Sequence, residues 1–302
     1  MLGVESSAVK ILVTGASGLV GRRLVACLLG NGMSVTAFVR RAESMAGVDG
    51  VDVAVGVVED RAAVERAAAG CDAVVHLANA SGVVDEARVQ AVNVGGTENA
   101  LAACAGKARR IVFISTISAM RARLGPYGRS KRLAEERVRT AGIPFVILRP
   151  SLVYGAKETG LVASLTRHLR SLPVMPVIGD GRIEIDPLHL DDLCAVIEAC
   201  LLRDDVLGRT YDLLGPDRVT FDAFLRRLGG VLGVRRPLLH LPAPPLLLLA
   251  RLLGRLMKDP PLTVDSVLGL TSPARVDREA AARDFPIAWT PLDVGLRVFD
   301  AR

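Results

Sequence analysis

Two stretches hold residues whose types and spacing suit chemistry. The first is Tyr127 and Lys131, in "YGRSK". At i and i+4 of a helix, a phenol and an ammonium lie on one face. A free tyrosine titrates near pH ~10, too high for proton exchange at neutral pH, and a nearby cation lowers it towards use as an acid or base. Upstream, "VFISTISAM" offers hydroxyls at Ser115, Thr116 and Ser118, any of which can hold a carbonyl or hydroxyl oxygen in line with the phenol.

The second stretch is "TGASGLVG", Thr14–Gly21, with Gly15, Gly18 and Gly21 between an apolar run and a periodic helix. That placement suits a tight turn, a close backbone approach to a pyrophosphate, and helix–sheet packing. The cofactor-binding set read from it is Gly15, Ser17 and Gly18 with the first helical residues Leu19 and Val20. An NAD-preferring site carries a carboxylate at the end of the next strand, whereas an NADP site carries arginine. Here Val39 holds the acid position, followed by Arg40 and Arg41. A guanidinium binds phosphate through paired, charge-assisted hydrogen bonds, so Arg40 points to NADP, with NAD as the alternative. The competing reading makes these arginines a solvated loop.

These residues need a scaffold that brings strand ends together, and the chain supplies one. Apolar runs at Lys10–Gly15, Ser34–Val39, Val51–Gly56, Asp72–Ala78, Arg109–Ser115 and Pro144–Pro150 alternate with helical patterns at Leu19–Gly32, Asp60–Gly70, Val92–Gly106 and Pro126–Gly142. Strands without polar alternation are buried on both faces, which predicts a parallel sheet with helices on either side. The expected fold is α/β: a Rossmann-type doubly wound parallel sheet with a smaller, mostly helical C-terminal lobe. Residues 1–150 would form the nucleotide-binding domain and 151–302 the substrate lobe, with the segment around 185–202 returning to the first domain. The sheet's carboxyl edge, where ligands bind in such folds, holds the hydroxyls of Ser115, Thr116 and Ser118.

Composition excludes several classes. The chain has 302 residues and a net charge of +6, but its basic residues are interleaved with acids, and only 4% of residues are aromatic. A nucleic-acid footprint and its stacking platforms are therefore not expected. The five cysteines, Cys27, Cys71, Cys104, Cys194 and Cys200, form no C-x-x-C pair and read as reduced thiols. The N-terminus lacks a signal pattern, and no uncharged apolar stretch reaches the roughly 18 residues that span a bilayer. The expected location is cytoplasmic.

A resemblance follows from the motifs in order: TGxxGxxG, "HLA" (His76–Ala78), "VNVGGT" (Val92–Thr97), a Ser/Thr before Y-x-x-x-K, "LRPSLVYG" (Leu148–Gly155) and "HLDDL" (His189–Leu193). Together they resemble the extended branch of the short-chain dehydrogenase/reductase superfamily, the NAD(P)-dependent epimerase/dehydratase group, over roughly Lys10–Leu214. The resemblance implies Thr116, Tyr127 and Lys131 as the catalytic set, with Lys131 also on the nicotinamide ribose. It implies Ala78 beside the cofactor ribose, Pro150 and Ser151 against the nicotinamide, and a family asparagine at Asn93. A homodimer is the family's habit. Departures are Val57, where the family commonly has an aspartate at the adenine, although Asp60 remains, and "AMR" (Ala119–Arg121) in place of the usual VYG. With Arg40 and a short Thr116–Tyr127 stretch, these tilt the resemblance towards the atypical, reductase-like subgroup.

Other features read more plainly. Arg121 and Arg123, near the expected substrate mouth, are expected to be solvated loop charges, with a bound phosphate or carboxylate as the alternative. His189 with Asp191 and Asp192 lacks the spacing of a metal site and reads as a helix cap; no metal is expected. His76 reads as a packed core histidine. "PAPPLLLLARLLGRLMKDPP" (Pro242–Pro261) places Arg251, Arg255 and Lys258 at helical spacing opposite a broad leucine face. The expectation is a helix around Leu246–Met257 buried against the core or a partner subunit; the alternatives are a membrane surface or a lid over a lipid-like substrate. Overall the sequence predicts an NAD(P)-dependent oxidoreductase or epimerase acting at a hydroxyl or ketone carbon, with Tyr127 as general acid/base. Its substrate would be a small molecule with apolar bulk or a sugar nucleotide. The alternative is an NADP(H)-binding sensor or assembly subunit without turnover.

Overall fold

A computed structural model describes residues 9–83, 85–105, 110–156, 160–257 and 260–300. Lys258 and the Gly106 and Arg109 ends of two expected elements lie outside the described residues. The apolar runs form β1 (Lys10–Thr14), β2 (Ser34–Val39), β3 (Asp52–Val55), β4 (Ala73–His76), β5 (Arg110–Ile114) and β6 (Phe145–Pro150). A further strand, Arg209–Leu213, completes a seven-stranded sheet. From one edge the order is Arg209–Leu213, β6, β5, β4, β1, β2, β3, and every pair is parallel. Strand order therefore reverses between β1 and β4. That switch point opens a crevice at the carboxyl ends of the strands.

Five helices follow these strands: α1 (Leu19–Gly30), α2 (Arg61–Ala67), α3 (Glu86–Gln90), α4 (Gly96–Cys104) and α5 (Pro126–Thr140). They are joined by α6 (Leu161–Ser171), α7 (Leu190–Leu202), α8 (Phe221–Val231), α9 (Ala243–Leu256), α10 (Val264–Gly269) and α11 (Glu279–Asp284). On one sheet face Leu24, Leu28, Leu193 and Ile197 of α1 and α7 bury Val13, Val75 and Val112. On the other, Val64, Ala100, Ala134 and Val138 of α2, α4 and α5 bury Leu12, Val74 and Phe113. A separate core in the C-terminal lobe joins Leu165 and Leu169 of α6 to Phe224 and Leu228 of α8.

Three elements depart from the sequence expectation. Strand β3 is not buried on both faces; it is the sheet edge, and Val53 and Val55 are exposed. The helix expected from Val92 begins as a π-turn, Ala91–Gly95, which feeds α4. Helix α9 is not buried against the core. Ala250 is its one buried residue, while Leu248, Leu249, Leu252 and Leu256 face outward. Return to the first layer comes from α7 and Arg209–Leu213, and also from the C-terminal end, where Phe285 stacks edge-on against Tyr211 at 4.9 Å.

Candidate active site

The crevice at the switch point is a cleft of about 330 Å³. Its walls are the Gly15–Gly18 loop, Phe38, Val39 and Arg40 at the end of β2, Val58 and Glu59 after β3, and Leu77–Ser81 after β4. Gly15 has φ +68°, and a Cβ there would stand 2.7 Å from the Ala78 nitrogen. Any side chain would close the passage between the two strand ends. Helix α1 begins at Gly18 with no side-chain cap and no acid in its first turn, so its leading N–H groups face the cleft mouth without an internal partner. The residues thus fit a dinucleotide: a Cβ-free cradle, an uncapped helix start and a cation.

That cation is Arg40, which is exposed on the cleft wall and has no hydrogen-bond or ion-pair partner among the described residues. Its loop is held from below, where Arg22 donates to the Ser44 carbonyl at 2.6 Å. On the far wall Arg88 pairs with Glu59 at 3.4 Å. Ala78 lines the cleft, and its N–H points at the Thr14 hydroxyl, 3.4 Å away. Asp60 caps α2 by accepting from the Ala63 N–H at 3.1 Å, and Val58 and Glu59 line the cleft beside it. Ser151 gives its hydroxyl to the Asp186 carbonyl, and Pro150 ends β6, buried beside it.

Helix α5 carries the second part of the site. Lys131 is buried; its Nζ donates to the Ile114 carbonyl at 2.6 Å and lies 4.2 Å above the Phe113 ring. Burial pushes its pKa down to about 7, against a modest opposing pull from Glu135. The carbonyl and the ring face both favour the ammonium. This contact pins α5 to the end of β5, where Thr116 and Ser115 stand. Ser115 is taken: its hydroxyl donates to Glu135 at 2.6 Å, in a buried network where Arg149 grips both Glu135 oxygens and reaches Asp212 at 3.3 Å. Thr116 accepts from the Ser118 N–H at 3.1 Å, which leaves its own proton free.

Asn93, in the π-turn, accepts from the Ala80 N–H at 2.7 Å and donates to Ser130 at 2.9 Å. One amide side chain thereby ties the cleft wall to α5. Phe113 also stacks on His76, at 5.9 Å. His76 is buried against Thr14, at 2.8 Å, and burial with the Lys131 charge pushes its pKa down to about 3. It is a neutral core histidine.

Sequence reasoning missed Asp265. The start of α5 is Gly125, which has no side-chain cap. Asp265 of α10 supplies one instead, accepting from the Tyr127 N–H at 3.2 Å. Burial raises the Tyr127 phenol and the Asp265 carboxylate adds to the shift, the opposite of the lowering expected from Lys131, whose ammonium is bonded to the Ile114 carbonyl instead. The same lobe segment holds Arg121, whose Nη1 donates to the Ser272 carbonyl. Arg121 is therefore not a solvated loop charge: its Nε is buried, and burial lowers its pKa. Arg123 remains exposed. His189 caps α7 by accepting from the Asp191 N–H at 3.3 Å; Asp191 pairs with Arg23 at 2.6 Å and Asp192 with Thr290 at 2.7 Å.

The comparisons with known proteins agree with this geometry. The model of the NAD dependent epimerase/dehydratase family matches residues 11–213. This chain belongs to that family. It is 28% identical to a ceramide reductase of Caulobacter vibrioides, over 93% of this chain and 86% of the relative. It is 30% identical to a 2-alkyl-3-oxoalkanoate reductase of Stenotrophomonas maltophilia, over 95% of this chain and 97% of the relative. Among solved structures, a UDP-glucuronic acid 4-epimerase of Bacillus cereus, in complex with UDP-glucuronic acid and NAD, superposes with a TM-score of 0.77. It covers 96% of this chain and 97% of its own, at 21% identity, and so attests the fold. The chain is an NAD(P)-dependent oxidoreductase or epimerase of this family.

Proposed function

We propose that this family member is an NADP(H)-dependent ketone reductase whose substrate carries an apolar chain. The observation that carries the reading is geometric: the Lys131 ammonium is fixed at the end of β5, two residues before Thr116 and one helical turn from Tyr127. The phenol carries its proton at neutral pH as an ordinary tyrosine does, and burial with the Asp265 carboxylate raises it further, so its release to a carbonyl oxygen depends on that cation. Thr116, with its proton uncommitted, donates to the same oxygen. Lys131, fixed on Ile114 and Phe113, stabilises the phenolate left after transfer. When bound in the cleft, the reduced nicotinamide supplies the hydride for the carbonyl carbon. The product is the alcohol, and Tyr127 regains its proton from solvent. Arg40 holds the 2′-phosphate of the cofactor, with Gly15, Ser17, Gly18, Leu19 and Val20 around the pyrophosphate. Ala78 lies at the ribose, Val58 at the adenine, and Pro150 and Ser151 at the nicotinamide.

Two relatives are named as reductases, and one name includes a 3-oxo group on an alkyl-bearing acid. Their chemistry supports reduction over epimerisation. The test is oxidation of NADPH by the purified protein with long-chain 3-oxo acids. Tyr127→Phe is expected to slow turnover by about 10²–10⁴-fold while NADPH binding persists. Undiminished turnover in this variant removes Tyr127 as the donor. Tight NADPH binding with no turnover on any ketone returns the chain to the sensor or assembly reading.

A further inference from the structure

Helix α9 has an exposed face that the reductase reading does not use. Leu248, Leu252 and Leu256 follow one another at i, i+4 and i+8 and are 69%, 51% and 73% exposed. By helical geometry Leu249 borders this row on one side, Arg251 and Arg255 on the other, and buried Ala250 lies opposite. The two arginines are exposed and have no carboxylate partner among the described residues. Between Ala243 and Leu256 there is no acidic residue at all.

The occupant of this face must bury leucines and neutralise cations side by side. A second copy of the chain fails the second demand. An isologous contact sets the same patch on both partners, so it gathers Arg251 and Arg255 of both copies in one interface with no acid on either helix to balance them. An anionic lipid surface meets both demands: acyl chains take the leucines and headgroup phosphates take the arginines. Position adds to the case. Helix α10 packs on α9 and on α5, and through Asp265 it holds the start of the helix bearing Tyr127.

We propose that α9 is a membrane-surface docking helix that seats the protein on an anionic bilayer beside the mouth of its active site. The proposal does not rest on the reductase reading, because docking is measured without nucleotide or ketone. The full chain is sedimented with phosphatidylcholine vesicles, with or without phosphatidylglycerol. Wild type is expected to pellet with the anionic vesicles and to stay largely in solution with the neutral ones. The double variant Arg251→Gln, Arg255→Gln should bind the anionic vesicles about 30-fold more weakly, the equivalent of about 1 kcal/mol per arginine. Leu248→Glu with Leu252→Glu should abolish pelleting, with an unchanged thermal midpoint since both side chains are exposed. The proposal is overturned if wild type stays in solution with both vesicle types, binds both equally, or pellets undiminished in either double variant. It is also overturned if the leucine variant splits a dimer in sizing chromatography while wild type ignores vesicles, because the face then belongs to a second copy.

Discussion

Arg40 lines the cleft with no protein partner among the described residues, and on the proposed reading its work is to discriminate between cofactors. A hydrogen bond to a charged group contributes about 1.5–3 kcal/mol, so Arg40→Ala should weaken NADPH binding by about 10–100-fold and leave NADH binding nearly unchanged. Fluorescence titration of both nucleotides reads the difference; equal losses for both would assign Arg40 to general electrostatics. His76 sets a different test, in acid. The unfolded chain protonates this residue near pH 6.5, but the folded protein does so only near 3. Between those values the unfolded state holds the extra proton, so stability falls as pH falls, by about 1.4 kcal/mol per pH unit. Below the folded value the loss is complete; above 6.5 the histidine has no effect. Urea denaturation from pH 6.5 to 5 should show this slope in wild type. His76→Gln, which keeps a polar atom for Thr14 and cannot titrate in that range, should flatten it.

At the scale of elements, α5 decides whether the site assembles, and its N-terminus is completed from another part of the chain. A Cβ on Gly125 would stand 2.3 Å from Asp265 Oδ1, so the glycine exists to admit that carboxylate. Asp265→Ala should cost about 1 kcal/mol, the usual price of a lost helix cap. Gly125→Ser should destabilise wild type by steric conflict but stabilise the Asp265→Ala protein, because serine then caps the helix locally. Thermal midpoints of the four proteins check this reversal of sign, and simple additivity would refute the capping account. The case also marks what could be read beforehand. Tyr127, Lys131 and the Pro126 start of α5 were legible because their spacing is local. Asp265 lies 138 residues away from Tyr127, and its only trace in the sequence is negative: a helix start with no capping residue. Residue type alone leaves Ser115 and Thr116 interchangeable and only the resemblance favours Thr116; the physical reason is distant in sequence, since Glu135, four residues after Lys131, occupies Ser115. The π-turn holding Asn93 has no periodicity of its own, so it read as ordinary helix.

Across the whole molecule, legibility follows how closely chain order matches spatial order. Up to β6 the strands alternate with helices, except that a single 3-10 turn, Ala42–Met45, joins β2 to β3, so hydrophobic periodicity is enough to recover six of the sheet's seven strands. Beyond Pro150 the chain shuttles between lobes. Arg209–Leu213 returns as a sheet edge, and the segment around Phe285 covers it, with Asp284 accepting from Tyr211 at 2.8 Å and the Asp277 N–H reaching Asp212 at 2.9 Å. Phe285, Ala281 and Tyr211 share one buried core with β1 and α1. The segment around Phe285 therefore packs into the core of the central sheet. Phe285→Ala should destabilise the protein by about 3–5 kcal/mol, and the loss should appear in the unfolding of the central sheet. Two probes separate the possibilities in one urea titration: far-ultraviolet circular dichroism for the whole fold, and protection of β1 and β4 amides from hydrogen exchange for the sheet. Both midpoints should fall together. If the β1 and β4 amides keep their protection while the dichroism transition moves, the end of the chain is an appendage of the second lobe, and its contacts with Tyr211 do not support the sheet.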